Sequence, residues 1–177
     1  MSHFLTLVIA DSEEQVEKLL APYNENGEWF KDGSRWDWWQ IGGRWTGCLD
    51  GYDPDKDPTN VEICNICDGT GKRKMEPQEG KKCNGCDGKG KRTVWPTRYK
   101  KYSGDVQPIG RILVDKIEQD PPVAIVTPDG TWHERGAMGF WGIPRGPQQE
   151  EDVWKSKVRT LLTENLGKQV FVVDCHV

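Results

Sequence analysis

Long apolar runs, histidine and recognisable catalytic signatures are all scarce in this chain. Apolar residues make up 35% of the 177, and the mean hydropathy is −0.75. The longest apolar stretch, FLTLVIA at 4–10, is far short of the roughly 20 residues that a membrane-spanning helix needs. It also makes a poor secretory leader, because no basic residue precedes it and Asp11, Glu13 and Glu14 follow at once. The expected setting is therefore a reducing cytoplasm, with no membrane partner. There, six cysteines read as metal ligands or free thiols rather than disulfides. Histidine occurs only at His3, His133 and His176. No P-loop, dinucleotide-binding glycine fingerprint or nucleophile elbow is visible, so the common nucleotide-dependent and hydrolytic chemistries have no footing.

What is present is concentrated in one place. Cys64, Cys67, Cys83 and Cys86 form the pattern C-x2-C-x15-C-x2-C, a spacing that reads as a zinc site. Two cysteines separated by two residues can aim both sulfurs at one ion across a tight turn, and two such knuckles complete a tetrahedral four-sulfur shell. A closed shell of this kind suits one structural Zn2+ rather than a catalytic one, which keeps a position open for water. Redox-active thiols or a disulfide pair are the competing reading, and the doubled spacing argues against it. Each knuckle continues in the same way, CNICDGTGK and CNGCDGKGK. This C-x-x-C-x-G-x-G repeat resembles the cysteine-rich module of DnaJ-type chaperones. That family carries four repeats and two zincs; this chain has two repeats, so at most one zinc of that kind, and no visible J-domain. The resemblance covers about 64–90 and implies a metal and a local fold, not co-chaperone activity.

Charge is unevenly spread around the same module. Residues 72–101 hold eleven basic residues against three acidic ones, which leaves 13 basic against 25 acidic elsewhere, in a chain of net charge −4. A basic module in an acidic body can mark an interaction surface. Lys81, Lys82, Lys89 and Arg92 are the candidate contacts. They could meet an acidic protein surface, or phosphates, with Trp95, Tyr99 and Tyr102 available for stacking.

The rest of the chain reads as an α+β body. HFLTLVIA is a buried strand. Ser12 with Gln15 forms a capping box for a helix carrying Val16, Leu19 and Leu20 on one face, which Pro22 ends. WDWWQIG and RWTGCL are two strand-like pieces joined at Gly42-Gly43. Residues 50–60 are a linker, RILVDKIE (111–118) is ambiguous between helix and strand, and 122–134 is a hairpin turning on Asp129-Gly130. Residues 136–147 are Gly- and Pro-rich. A helix over about 149–165 presents Trp154, Val158, Leu161 and Leu162, and QVFVVDC is the last strand. The predicted division is a body of 1–50 and 105–177 with an insertion at 61–95. Without the insertion, the element order is that of a ferredoxin-like antiparallel sheet with two helices.

SHFLTLVIA, LAPYNEN, WDWWQIGGRWTG, WHERGAMGFWG and the terminal DCHV together resemble a family of small uncharacterised proteins encoded largely by bacteriophages and some bacteria. The resemblance runs to about residue 47 and again from about 122 onward; many members lack the cysteine insertion. It implies a phage accessory protein acting on a host factor, most simply a host protein, in the host cytoplasm.

Two further clusters are candidates within the body. In such a sheet, the first strand starts beside the end of the last. His3, Asp174 and His176 would then gather as acid, base or metal ligands, or as a polar network tying down the termini, the favoured alternative; His133 and Glu134 lie on the hairpin. In the tryptophan-rich segment, Trp36 and Trp38 are expected to share the core face. Trp39 and Trp45 would then face outward with Arg44, a composition typical of binding hot spots. Cys48 and Cys175 read as buried small apolar residues. Taken together, the sequence predicts a non-enzymatic zinc-binding protein that contacts a macromolecule.

Overall fold

A computed structural model describes residues 2–25, 33–112, 117, 119–138 and 144–177. It divides into two compact units, one formed by 1–52 with 101–177 and the other by 53–100.

The first unit is built on β1 (His3–Ala10), whose residues from Phe4 onward are all buried. A strand covered on both faces reads as a near-continuous apolar run rather than an alternating one, as HFLTLVIA does with the buried Thr6 as its one polar interruption. Ser12 caps α1 (Glu13–Leu20) by accepting from the Gln15 N–H, and Gln15 Oε1 accepts in return from the Asp11 N–H at 2.7 Å. The predicted capping box is therefore present, its return bond landing one residue early. Val16, Leu19 and Leu20 are buried, and a 3-10 turn at Ala21–Tyr23 with Pro22 in it follows the helix.

Next along the chain come β2 (Trp38–Ile41) and, in the second unit, β3 (Val61–Ile63) and β4 (Lys91–Thr93). The body resumes with β5 (Val106–Pro108), β6 (Ala124–Val126) and β7 (Trp132–Glu134), then a short pair, β8 (Ala137–Met138) and β9 (Pro144–Arg145). It closes with α2 (Glu151–Thr163) and β10 (Gln169–His176). The main sheet runs β2-β10-β1-β6-β7, and β5 pairs with β10 ahead of β2 on the same edge. β1 and β10 are antiparallel over their full length, from His3↔His176 to Ala10↔Gln169. The β6–β7 hairpin turns as expected: Asp129 accepts from the Thr131 N–H and the Thr127 hydroxyl, and Gly130 takes φ 85°.

The α+β reading, with a mostly antiparallel sheet and two helices, holds. In detail, β1 and β6 lie side by side and parallel, a pairing that the ferredoxin-like order lacks. Each face of the sheet also packs its own helix. Leu5, Leu7, Ile9, Val170 and Val172 meet Trp154, Val158, Leu161 and Leu162 of α2 on one face. Phe4, Val8, Phe171, Val173 and Cys175 meet Val16, Leu19 and Leu20 of α1 on the other. The buried Trp36 and Trp154 N–H groups donate to the Leu20 and Pro122 carbonyls, as buried indoles must. Within the ambiguous RILVDKIE segment, 113–116 and 118 fall outside the described residues, as do Phe140 and Trp141; Ile112 and Ile117 are buried in the α2-side core. None of the described helices is long and apolar enough to cross a membrane.

The second unit is a hairpin whose base is the β3–β4 pair, Val61↔Thr93 to Ile63↔Lys91. Its one buried cluster among the described residues is the four cysteines.

Candidate metal centre

The two knuckles are copies of each other, offset by 19 residues. Cys64 N–H donates to the Gly90 carbonyl at 2.9 Å, and Cys83 N–H donates to the Gly71 carbonyl at 2.8 Å. Within each knuckle a glycine amide returns to the first cysteine's carbonyl, Gly69 to Cys64 and Gly88 to Cys83. A later glycine amide donates to the second sulfur, Gly71 to Cys67 Sγ at 3.3 Å and Gly90 to Cys86 Sγ at 3.2 Å. Asp68 and Asp87 both sit at positive φ (47° and 51°), a conformation that aspartate tolerates better than most residues.

The glycines are set by contact between the knuckles. A Cβ added at Gly71 would lie 2.3 Å from the Gly88 carbonyl oxygen, and one at Gly90 would lie 2.2 Å from that of Gly69. The two turns cross backbone against backbone, which is the physical reason for the doubled C-x-x-C-D-G-x-G.

This crossing gathers the sulfurs. Cys64 and Cys83 Sγ are 4.0 Å apart, Cys67 and Cys86 Sγ 3.7 Å, and all four ligand atoms lie within 4.8 Å of one another. A tetrahedral ion with metal–sulfur bonds of ~2.3 Å needs sulfurs about 3.8 Å apart; a disulfide needs ~2.05 Å. The four cysteines are therefore placed to hold one metal ion. Burial opposes ionisation of the Cys67 and Cys86 thiols. At Cys67, the Gly71 N–H and the neighbouring thiols outweigh it and bring the pKa down to about 7. At Cys86, burial, with hydrogen bonding to the other thiols, pushes it up to about 11. A bound cation favours the thiolate at every position.

The unit's surface is basic, but partly self-neutralised. Lys82 pairs with Asp87, Arg92 and Arg98 with Glu62 at 2.9 and 3.0 Å, and Lys74 with Asp68. Of the four predicted contacts, Lys81 and Lys89 are exposed with no ion pair among the described residues, while Lys82 and Arg92 carry internal partners. The exposed Lys82–Asp87 pair is weak enough to exchange for an external partner, whereas Arg92 and Glu62 are part-buried. The unit exposes Trp95 (64%), one of the rings expected to be available for stacking, and also apolar side chains that the sequence had not marked: Ile63 (65%) and Met75 (79%), together with Val61 and Ile66.

In the body, the termini do meet. His3 Nδ1 lies 2.7 Å from Oδ1 of the fully buried Asp174, and the His3 and His176 rings are 5.0 Å apart, centroid to centroid. His176 Nδ1 lies 2.5 Å from Asp37 Oδ1, a partner that the sequence did not suggest. Asp174 Oδ2 accepts from the Arg44 N–H, so the same carboxylate anchors the turn after β2. Asp105, also missed, grips that turn from its other end by accepting from the Gly47 N–H at 2.7 Å. Cβ atoms on Gly42 and Gly43 would strike Asp105 and Asp174 respectively, which accounts for the Gly-Gly. Burial pushes the Asp105 carboxyl up to about 6, against the lowering effect of the Gly47 and Thr46 hydrogen bonds. His133 and Glu134 belong to other networks, with Thr127 and with Arg35 and Trp132.

The tryptophan expectation is corrected. Trp39 is half-buried against the α1-side core, Trp45 packs against the α2-side core, and Trp38 is the exposed one at 39%. A bend at Asp37 separates Trp36 from the strand, so alternation cannot run through both. The register Cys175↔Trp39 then turns Trp39 to the α1 face. Trp45 sits in a 3-10 turn, where period-two reasoning does not apply. Arg44 is exposed, as expected. Burial pushes the thiols of Cys48 and Cys175 up to about 12, in keeping with structural roles.

No protein-family model, no curated protein and no solved structure matches this chain.

Proposed function

We propose that the chain is a non-enzymatic binding protein whose contact surface is a hairpin organised by one structural Zn2+. The observation that carries this reading is the inversion of the second unit. Its buried cluster consists of the four cysteines, while Val61, Ile63, Ile66, Met75 and Trp95 face solvent. Apolar side chains held outward on a metal-stiffened scaffold are the composition of a protein-binding patch. A groove of about 540 Å³ past Val61, Cys86, Lys89, Lys91 and Arg92 adds positive charge beside the apolar residues. The partner that fits is a protein with an apolar site rimmed by acidic groups. Zinc is favoured because four thiolates with no open position suit a closed tetrahedral site. The resemblance of its body motifs to phage-encoded proteins makes a host protein the candidate we propose.

The test is paired capture from bacterial lysate, using the wild type and an Ile63→Asp/Trp95→Ala variant that keeps all four cysteines. Supporting the reading requires a partner held by the wild type and lost by the variant, while both proteins retain the same zinc content by elemental analysis. Equal recovery from both, or none from either, counts against it. The basic residues also support nucleic-acid binding. That reading instead expects oligonucleotide affinity that falls steeply with salt and is lost when Lys81, Lys82, Lys89 and Arg92 are replaced together.

A further inference from the structure

We infer that His3 and His176 form a second metal site, on the body, that takes a borderline divalent cation such as Ni2+, Cu2+ or Zn2+ through their Nε2 atoms. The argument begins with the register. Ser2 and Val177 exchange both backbone hydrogen bonds, each 3.0 Å, so the next pair inward, His3↔His176, is a non-hydrogen-bonded pair. In antiparallel sheets, those pairs bring their side chains closest. Both imidazoles project from the same face, on directly opposed residues.

Each ring is then fixed by a carboxylate. Asp174 holds His3 at Nδ1, and Asp37 holds His176 at Nδ1. Carboxylate oxygens accept, so each Nδ1 carries the hydrogen and each Nε2 presents its lone pair. Neither Nε2 has a protein hydrogen-bond partner among the described residues. A carboxylate behind the non-ligating nitrogen is the arrangement that orients metal-binding histidines and raises their basicity. The spacing agrees. With metal–nitrogen bonds of ~2.1 Å and a ring radius of ~1.2 Å, two imidazoles at a tetrahedral angle place their centroids about 5.4 Å apart. The observed separation is 5.0 Å.

Two protein ligands leave positions open to water or to another ligand, unlike the closed sulfur site. The exposed Trp38, its ring 6.0 Å from that of His3, supplies an optical reporter.

The experiment uses the full chain with its sulfur site loaded. Ni2+ is titrated while tryptophan emission is followed, and bound metal per chain is measured by equilibrium dialysis and elemental analysis. The expected result is one additional ion, with quenching that Trp38→Phe removes. His176→Phe, which keeps an aromatic ring at that place, should abolish the additional ion. Asp37→Asn should weaken it at least tenfold, the usual effect of losing the supporting carboxylate. His133→Ala should leave it unchanged. An unaltered metal content on titration overturns the proposal, and so does nickel binding that survives His176→Phe or is lost equally in His133→Ala.

Discussion

Gly71 and Gly80 share a backbone conformation, φ 73° and 75°, but not a neighbourhood. A Cβ at Gly80 meets nothing within 4 Å, whereas at Gly71 it lands 2.3 Å from the Gly88 carbonyl oxygen and 3.0 Å from its carbon. Gly80→Ala therefore carries only the strain of a left-handed alanine, about 1–2 kcal/mol. Gly71→Ala carries that strain and also forces the two knuckles apart. It does so where Gly71 donates to Cys67 Sγ and accepts from Cys83 at 2.8 Å. Disrupting one such buried hydrogen bond adds roughly 1–3 kcal/mol. Ligation and folding of a metal-organised unit are a single equilibrium, so the difference appears as metal affinity. At tenfold for every ~1.4 kcal/mol, Gly71→Ala should bind its ion between about five- and 150-fold more weakly than Gly80→Ala. Competition against a chromophoric chelator measures both, with Gly90→Ala expected to follow Gly71→Ala because its Cβ would meet the Gly69 carbonyl oxygen at 2.2 Å. Equal affinities for the Gly71 and Gly80 variants would refute the crossing as the reason for the glycines.

Two further expectations concern the separate units. The Asp105 carboxyl, raised from 3.8 to about 6, binds its proton more tightly folded than unfolded, so its contribution is present below about pH 4 and lost as pH rises through 6. From a shift of about two units, wild-type stability should fall by roughly 3 kcal/mol relative to Asp105→Asn across that window; urea denaturation at pH 4 and pH 7 measures it, and a pH-independent gap between the two proteins contradicts it. Stripping the sulfur site with a strong chelator should remove hydrogen-exchange protection from the amides of Cys64, Gly71, Cys83 and Gly90 while leaving β1 and β10 protected. Loss of protection in both sets would show that the body depends on the metal.

What could be read in advance follows the range of each interaction. β1, α1, the β6–β7 hairpin, α2 and β10 were legible because caps, turn residues and apolar spacing act within one element. The cysteine spacing was legible for the same reason, since each knuckle closes on itself. The meeting of His3 with His176 followed from strand order alone. Asp37 and Asp105 gave no local signal: each acts on a turn or ring far away in sequence. The facing of Trp38 and Trp39 failed because a bend at Asp37, held where its N–H donates to the His176 carbonyl, resets the alternation. Ile63 and Ile66 were illegible for a different reason. An apolar residue reads by default as core, and only the sulfur-filled interior shows that this unit has no core for them to join.

That interior also constrains how binding and metal occupancy relate. In the body, order comes from two apolar layers and the buried carboxylates that clamp the Gly42-Gly43 turn. In the second unit, order comes from one cluster of four sulfurs, too small to hold the hairpin without an ion. The exposed apolar patch is therefore a property of the ligated state. A partner that recognises Ile63, Ile66 and Trp95 in their fixed positions binds that state and not the metal-free hairpin. Linkage then requires the partner to tighten the ion by the same factor as the ion tightens the partner. If the proposed surface binds such a partner, the metal is one half of a coupled binding equilibrium whose other half is that surface.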